Sequence, residues 1–348
     1  MKFDMEDYMH PGIEMKYFRG ATIPKAEADV LKKLERRSGK ELEMVELDDV
    51  GKNPISFAVE DYHVIGLAVR RAGLLEVPKT IDRLGHLKIL LFGNNNIKIL
   101  PNSIRNLSEL TKLRLSTNKL TEFPEAICKL TSLESLSITD NKFGAIPESI
   151  KNLHSLKYLY LAANKLDEFP QVLTHLPSLE QLGLGGNGLT TIPKSIADLR
   201  SLTHLDLSGN KIASFPRGIC ELPNLTRLNL SYNKLTTLPE CIGDLKNLIY
   251  LDLGDNQLTS LADAIGGMES LQSLDLKRNR LPSLPESIGN LKKLQDLALG
   301  GNPISTLPES CVNLNSLTKL SIVQTGIRLG TFPEPLKRWV SKVRVYGP

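Results

Sequence analysis

The sequence predicts an α/β solenoid, in which short parallel strands alternate with short helical turns. Three observations support this class. A 23-residue unit recurs without insertion through most of the 348 residues. Each unit holds a strand pattern followed by a turn that starts at proline, and one asparagine keeps the same place in consecutive units. Self-similarity at a period of about 20 to 50 residues is the signature of a solenoid.

The unit is clearest in residues 87–109, which read LKILLFGNNNIKILPNSIRNLSE. With Leu87 as position 1, this is LxxLxLxxNxLxxLPxxIxxLxx. Counted from a degenerate copy at Val64, the unit occurs twelve times and ends near residue 327. The residues at position 1 are Val64, Leu87, Leu110, Leu133, Leu156, Leu179, Leu202, Leu225, Leu248, Leu271, Leu294 and Leu317.

The first part of each unit predicts a strand, because apolar residues at positions 4 and 6 alternate with polar ones. In the unit from Leu110, we expect Leu113 and Leu115 to point inward and Lys112 and Arg114 to point to the other face. The proline at position 15 predicts a helical turn, since proline fixes φ and lacks a donor that the first turn leaves unused.

The asparagine at position 9 predicts a buried ladder rather than a binding site. An amide carries two donors and an acceptor, so a stack of amides can satisfy the turning backbone of neighbouring units. The ladder consists of ten residues, Asn95, Asn118, Asn141, Asn164, Asn187, Asn210, Asn233, Asn256, Asn279 and Asn302.

This 23-residue LPxxIxxL form resembles the leucine-rich repeat proteins, and within them the intracellular Ras-group class of Ras-suppressor and Scribble-type proteins. The resemblance covers residues 64–327. It implies a horseshoe with a parallel β-sheet on the concave face and short helical turns on the convex face. It also implies a non-enzymatic scaffold that binds proteins, often small GTPases or other signalling proteins. The segment before the repeats resembles free-standing repeat proteins of prokaryotes, including archaea.

The segment before the repeats predicts an N-terminal cap over residues 22–63, preceded by an arm over residues 1–21 that is expected to be flexible. A cap is needed because an open solenoid exposes an apolar end and a strand edge. We expect the cap to contain a helix that stops at Gly39, followed by strands. The apolar face of this helix is predicted to comprise Ala26, Val30, Leu31 and Leu34.

The segment after the repeats, residues 328–348, predicts a C-terminal cap. Residues 335–341 are expected to form a short helix that carries Leu336 and Trp339 into the core. Residues 343–346, VRVY, are expected to add a final edge strand.

Composition narrows the classes of function. The 43 basic and 39 acidic residues give a net charge of +4, which is too balanced to indicate nucleic-acid binding. No apolar run of membrane-spanning length and no signal peptide are visible. The four cysteines form no flanking disulfide framework, so we predict a cytoplasmic protein. Cys220 and Cys241 lie in adjacent repeats, where a bridge is conceivable but not favoured, and Cys311 is expected in the core.

Function is expected at the variable, solvent-facing positions 3, 5, 7 and 8 of the repeats. Charge is segregated there, since Arg70, Arg71, Lys112 and Arg114 make the early repeats basic. Aspartates make the later repeats acidic, and this charge is relieved by Arg227, Lys277 and Arg278. Tyrosine and arginine, which are enriched at binding hot spots, cluster between them. The candidate partner-binding residues are Lys112, Arg114, Tyr158, Tyr160, His204, Asp206, Arg227, Tyr232, Tyr250, Asp252 and Asp275.

Glycines stand beside this cluster at Gly183, Gly185 and Gly186, where we expect a shallow space that a partner's side chain fills. His204 and Asp206 are the only pair that suggests catalysis, and they lack a nucleophile with an oxyanion hole. Asp252, Asp255 and Asp275 suggest a weak Ca²⁺ site, although an ordinary acidic patch is favoured. The sequence therefore predicts no catalytic site, metal or cofactor.

The resulting hypothesis is a non-enzymatic protein–protein interaction module that binds a folded protein in its concave face. The alternative is a regulatory or inhibitory subunit that blocks the active site of an enzyme. No nucleic acid and no membrane is expected as a partner, and the sequence leaves the oligomeric state open.

Overall fold

The computed structural model describes residues 13–347, and the chain divides into two compact units, one through Tyr158 and one from Leu159. Two α-helices stand near the ends of the described chain, α1 (Lys25–Ser38) and α2 (Glu334–Val340). Between them, strands of mostly three residues alternate with 3₁₀ helices of mostly five residues. This alternation is the predicted solenoid pattern.

In the first unit, most strands form one sheet. Its strands are β1 (Met15–Phe18), β2 (Ala21–Pro24), β3 (Glu43–Met44), β4 (Ile55–Glu60), β5 (His63–Val69), β6 (Ile89–Leu91), β7 (Lys112–Arg114) and β8 (Ser135–Ser137). The pair β1–β2 stands apart and is antiparallel. In the larger sheet β3 pairs parallel with β4, β4 pairs antiparallel with β5, and β5 to β8 follow in parallel in chain order.

The second unit repeats the parallel arrangement. After β9 (Tyr158–Tyr160), which stands at the division, its strands are β10 (Gln181–Gly183), β11 (His204–Asp206), β12 (Arg227–Asn229), β13 (Tyr250–Asp252), β14 (Ser273–Asp275), β15 (Asp296–Ala298), β16 (Lys319–Ser321) and β17 (Arg344–Tyr346). From β10 to β16 each residue pairs with its equivalent one repeat later, as Leu205 does with Leu228. Equivalent positions therefore form rows across the sheet.

Leucine side chains from both halves of the repeat make the core. In the repeat from Leu202, the side chains of Leu205 and Leu207 are at most 2% exposed. Burying one such side chain stabilises the fold by about 1.5 to 3 kcal/mol. On the opposite side, the predicted helical turns are confirmed as 3₁₀ helices. Asn102–Asn106 follows Pro101, and the turn closes when the NH of Leu107 donates to the carbonyl of Ile104 at 3.1 Å.

The asparagine ladder is confirmed as a scaffold, in which nine of the ten residues are buried and Asn187 is half-buried. Asn256 is 7% exposed, and its Nδ2 donates to the carbonyls of Leu230 (2.9 Å) and Leu253 (3.0 Å). Its Oδ1 accepts the NH of Leu235 at 3.0 Å. One amide thus joins its own repeat to the preceding one. Equivalent bonds recur at Asn118 in the first unit.

The predicted cap helix is α1, which ends before Gly39 in the left-handed conformation (φ 65°). One residue of its predicted apolar face is wrong, because Ala26 is exposed and Glu27 is buried instead. The carboxylate of Glu27 accepts the NH of Val64 at 2.8 Å and lies 2.7 Å from Nδ1 of His63. A buried carboxylate is tolerated here because it satisfies the backbone where the first repeat begins.

Part of the segment expected to be a flexible arm is ordered strand. β1 pairs with β2, and the ring of Phe18 lies 5.7 Å from that of Phe57, which anchors this hairpin to the sheet. The remainder of the expected arm, residues 1–12, lies outside the described residues.

The C-terminal elements are confirmed. Trp339 on α2 is 8% exposed, and its Nε1 donates to the carbonyl of Leu314 at 3.4 Å. β17 extends the sheet beside β16. These elements cover the apolar end of the last repeat.

The cysteines depart from expectation at one place. Cys220 and Cys241 form a disulfide with a Cα–Cα distance of 5.8 Å, because the period of the solenoid stacks them in adjacent repeats. The bridge that the sequence did not favour is therefore present. Cys311 is buried as predicted, and burial raises the pKa of its thiol to about 12.

Candidate functional site

We use the term strand face for the surface formed by positions 3, 5, 7 and 8 of the repeats. The predicted orientation of the strand residues is confirmed within each unit. On β7, Leu113 is buried while Lys112 and Arg114 are exposed. On β13, Leu251 is buried, while Tyr250 and Asp252 are half-buried. The side chains that vary between repeats therefore reach solvent on one surface.

The second unit brings five of the predicted residues together. Arg227 and Tyr250 are register partners on β12 and β13, and Cζ of Arg227 lies 5.0 Å from the centre of the Tyr250 ring. Tyr250 donates its hydroxyl to Oδ2 of Asp252 at 3.2 Å. Asp252 pairs in register with Asp275, and Tyr232, at the turn after β12, is 56% exposed. We call these five residues the Tyr250 cluster.

Burial and hydrogen bonding set the protonation of the Tyr250 cluster. Burial, followed by the charge of Asp252, raises the pKa of Tyr250 to about 12, so its hydroxyl remains a neutral donor at physiological pH. Burial also raises the pKa of Asp252 above its ordinary value. The NH of Gly254 donates to Oδ1 of Asp252 at 2.9 Å and favours the ionised form. The cluster therefore offers a fixed aromatic ring, a cation above it and a half-buried carboxylate.

His204 and Asp206 lie on β11 next to the Tyr250 cluster, and they do not form a catalytic pair. The hydroxyl of Thr203 donates to the carbonyl of Glu180, so Nδ1 of His204 donates to that hydroxyl at 2.8 Å. Asp206 instead accepts the NH of Ser208. Burial, and then the charge of Arg227, lower the pKa of His204, which favours a neutral imidazole. Both residues serve the strand face as polar groups.

Of the shallow space expected at Gly183, Gly185 and Gly186, the part at Gly183 is occupied by Tyr160. Cδ1 of Tyr160 lies 3.2 Å from the point that a Cβ on Gly183 would take, and Gly183 is buried. The Tyr160 hydroxyl donates to Oε1 of Gln181 at 2.6 Å. The absence of a side chain at Gly183 thus makes room for the ring of Tyr160 from the same chain rather than for a partner.

The predicted acidic stretch is largely neutralised within the second unit. Asp275 pairs with Lys277 at 2.8 Å, Asp255 with Arg278 at 3.3 Å, and Asp296 with Lys319 at 3.2 Å. Among residues 13–347, no group of three histidine, cysteine, aspartate or glutamate side chains is placed to hold a metal ion. The acidic residues of this stretch are therefore paired with cations, apart from Asp206 and Asp252, which form no ion pair within the described chain.

Lys112 and Arg114 lie in the first unit, on β7, and Tyr158 is the last residue of that unit. Arg114 belongs to a basic group with Arg70 and Arg71. Burial, followed by the charges of Arg114 and Arg71, lowers the pKa of Arg70. The basic residues predicted for the early repeats therefore lie near enough to influence one another's charge.

Sequence reasoning missed a hollow beside the strand face. It has a volume of about 470 Å³, and Thr226, Ile249 and Gln272 contribute to its lining. These residues occupy position 2 of consecutive repeats, which lies outside the positions chosen as the surface. The available signal was Ile249, a 37% exposed apolar residue between two polar equivalents.

No helix in residues 13–347 combines the length and the apolar character needed to cross a bilayer. The comparisons with known proteins begin with family models. The leucine-rich repeat region model matches residues 240–337, and two further leucine-rich repeat models match residues 131–189, 169–212, 187–235 and 109–130. No curated protein matches the sequence.

Several solved structures are similar. A leucine-rich repeat protein of Leptospira interrogans is 34% identical with a TM-score of 0.76, and the alignment covers 80% of this chain and 71% of that protein. An internalin of Listeria monocytogenes is 21% identical with a TM-score of 0.66, and the alignment covers 92% of this chain and 94% of the internalin. This similarity shows a shared fold. A TDR receptor is 27% identical (TM-score 0.63), with 82% of this chain and 60% of the receptor covered. The repeats, the asparagine ladder and the Leptospira relative together show that this chain belongs to the leucine-rich repeat proteins.

Proposed function

We propose that this chain is a non-enzymatic protein-binding module, and that the Tyr250 cluster is the centre of its partner site. The observation that carries the proposal is the stacked pair of Arg227 and Tyr250 on adjacent strands, with the exposed Tyr232 at the turn after β12. Tyrosine and arginine are the residue types that most often dominate binding energy at protein interfaces. Here Arg227 and Tyr250 project from strands of the sheet rather than from a loop.

Pre-organisation supports the proposal. Tyr250 is held by its bond to Asp252, and Arg227 is held over the ring. Side chains that are already ordered lose less conformational entropy when a partner binds. Membership of the leucine-rich repeat proteins supports a protein as the class of partner. A folded partner suits a surface made of rows of side chains across several strands.

The finer parts of the proposal come from the resemblance seen in the sequence. These are membership of the Ras-group class, a prokaryotic free-standing form, and a small GTPase or other signalling protein as partner. The cytoplasmic location also stays a prediction. It rested on the lack of a disulfide framework, and the Cys220–Cys241 bridge removes part of that basis, because disulfides persist in oxidising compartments. The redox state of these cysteines in the native cell tests the location.

The experiment is crosslinking and capture from a lysate of the native host, with wild type compared to the triple variant Arg227→Ala, Tyr232→Ala, Tyr250→Ala. The chain offers a matched control in Arg344, whose Cζ lies 5.1 Å from the ring of Tyr346 on β17. The control variant Arg344→Ala, Tyr346→Ala removes the same kind of stacked pair elsewhere. Circular dichroism and thermal unfolding check that both variants are folded.

We expect a protein that the wild type and the control capture and the triple variant does not. Capture of the same protein by the triple variant would contradict the proposed centre. Once a partner is identified, its activity with and without this chain distinguishes a scaffold from the alternative, a regulatory or inhibitory subunit.

A further inference from the structure

The strand face of the first unit gathers arginines that form no ion pair with the part of the chain that the structure describes. Arg70 and Arg71 follow β5, and Arg114 stands on β7, two strands away. Gly93, in the repeat between them, is buried, and Cγ and Nε of Arg114 lie 3.8 Å from the point that a Cβ on Gly93 would occupy. The side chain of Arg114 therefore lies across Gly93, over the repeat that separates it from Arg70.

Arg70 is fixed in this arrangement. Its Nη1 donates to the carbonyl of Gly51 at 2.6 Å, and its Nε is buried with no hydrogen-bond partner among the described residues. The NH of Arg71 donates to the carbonyl of Gly93 at 3.3 Å, which ties the chain of Arg71 to the same glycine. The guanidinium of Arg70 is thus positioned by a backbone contact, the side chain of Arg114 lies over a residue without a side chain, and Arg71 is held through its main chain.

No carboxylate of the described residues forms an ion pair with this group. Within residues 13–347, none of Arg70, Arg71 and Arg114 forms an ion pair, and Lys112 adds an exposed cation on the same strand as Arg114. The effect of Arg114 and Arg71 on Arg70 shows that their charges are close enough to repel each other. An arrangement that brings like charges together without a counter-charge is stabilised when an anion binds between them.

We propose that Arg70, Arg71 and Arg114 form a binding site for a phosphate group at the surface around Gly93. Guanidinium groups bind phosphate through paired, charge-assisted hydrogen bonds. A phosphate monoester carries a charge of about −1.5 to −2 near neutral pH, which matches several converging cations better than one carboxylate does. The site lies in the first unit, so this proposal goes beyond protein binding at the Tyr250 cluster and is independent of it.

The test is a titration of the full chain at constant ionic strength, followed by NMR of the arginine Nε–Hε signals. The probes are inorganic phosphate, acetate, and a short phosphoserine peptide with its unphosphorylated counterpart. The variants are Arg114→Gln and Arg71→Gln. The matched control is Arg278→Gln, which removes an arginine that is paired with Asp255 in the second unit.

We expect phosphate to bind wild type at least about tenfold more tightly than acetate, and each cluster variant to lose about tenfold or more in affinity. The control should stay within about twofold of wild type. Tighter binding of the phosphopeptide than of inorganic phosphate assigns the site to a phosphorylated ligand, and the reverse order assigns it to free phosphate. The proposal is wrong if phosphate binds no better than acetate, or if both cluster variants bind as well as wild type.

Discussion

The two units share a scaffold and differ in how they treat charge on the strand face. In the first unit, Arg70, Arg71 and Arg114 lie near one another, and none of them forms an ion pair with another described residue. In the second, Lys277 and Arg278 each have an aspartate partner, and Arg227 lies over the ring of Tyr250. The same rows of positions thus carry uncompensated charge in one region and internally satisfied polar groups in the other.

This difference indicates two kinds of recognition. Uncompensated cations attract an anion strongly, and their affinity falls as salt screens them. Paired charges and a stacked aromatic ring contribute less long-range attraction and more buried contact area. The ladder and the core leave positions 3, 5, 7 and 8 free to vary, so one scaffold supports both surfaces. Three predictions break or sharpen this comparison.

The largest expected effect concerns the disulfide, which the structure places in the second unit. Cys220 and Cys241 are 21 residues apart, and a crosslink over such a loop stabilises the folded state by about 3 kcal/mol. The double variant Cys220→Ser, Cys241→Ser should lower the free energy of unfolding by about that amount, as measured by denaturant titration. Hydrogen exchange should accelerate around β11–β14 and not around β5–β8.

Reductant provides the control for this prediction. It should destabilise the wild type and leave the double variant unchanged, because the variant has no bridge to reduce. If the wild type is equally stable with and without reductant, the disulfide does not stabilise the second unit and the prediction is wrong.

The second prediction tests whether the scaffold is the same in both units. Asn118 and Asn256 make equivalent bonds, so Asn118→Ala and Asn256→Ala should each cost roughly 1 to 3 kcal/mol in the free energy of unfolding. The exposed Asn290 serves as the control, and Asn290→Ala should change stability by less than about 0.5 kcal/mol. A much smaller loss in one unit would show that the units differ in their interior as well as on their surface.

The fold followed from the sequence because its signals repeat. The period of 23 residues defines the strand, the 3₁₀ helix and the ladder together, so a wrong assignment in one repeat would have been corrected by the others. The caps carry no such redundancy. Glu27 is buried in place of Ala26 because its carboxylate bonds the backbone of Val64, which is distant in sequence.

The surface was harder to predict, since it depends on neighbours one repeat away. Gly183 looked like an open space until the ring of Tyr160 was placed over it. The acidic stretch was expected to be relieved by nearby cations, and aligning the repeats could also have shown which aspartates pair with Lys277 and Lys319. The disulfide was open to the same argument, because Cys220 and Cys241 occupy nearly equivalent positions. Residues at equivalent positions of adjacent repeats become neighbours in the sheet. Aligning the repeats position by position therefore predicts these contacts from the sequence.

The smallest effect concerns Asp252, the half-buried carboxylate of the Tyr250 cluster. Burial raises its pKa in the folded chain above the ordinary value of 3.8, so the fold favours the protonated form. The corresponding stability is present below the ordinary pKa and is lost as the pH rises through the folded pKa. Asp252→Asn should therefore unfold at a higher temperature than wild type at pH 7, and the difference should shrink as the pH falls towards about 4.

Asp275 gives the contrasting variant, because it is paired with Lys277 on the same face. Asp275→Asn removes an ion pair worth roughly 0.2 to 1 kcal/mol and should lower the unfolding temperature at pH 7. Opposite shifts for the two variants would show that Asp252 is retained at a cost in stability, as expected for a group kept for binding. If Asp252→Asn is less stable than wild type at pH 7, the bonds from Tyr250 and Gly254 outweigh burial. Asp252 would then belong with the internally satisfied pairs that distinguish the second unit from the first.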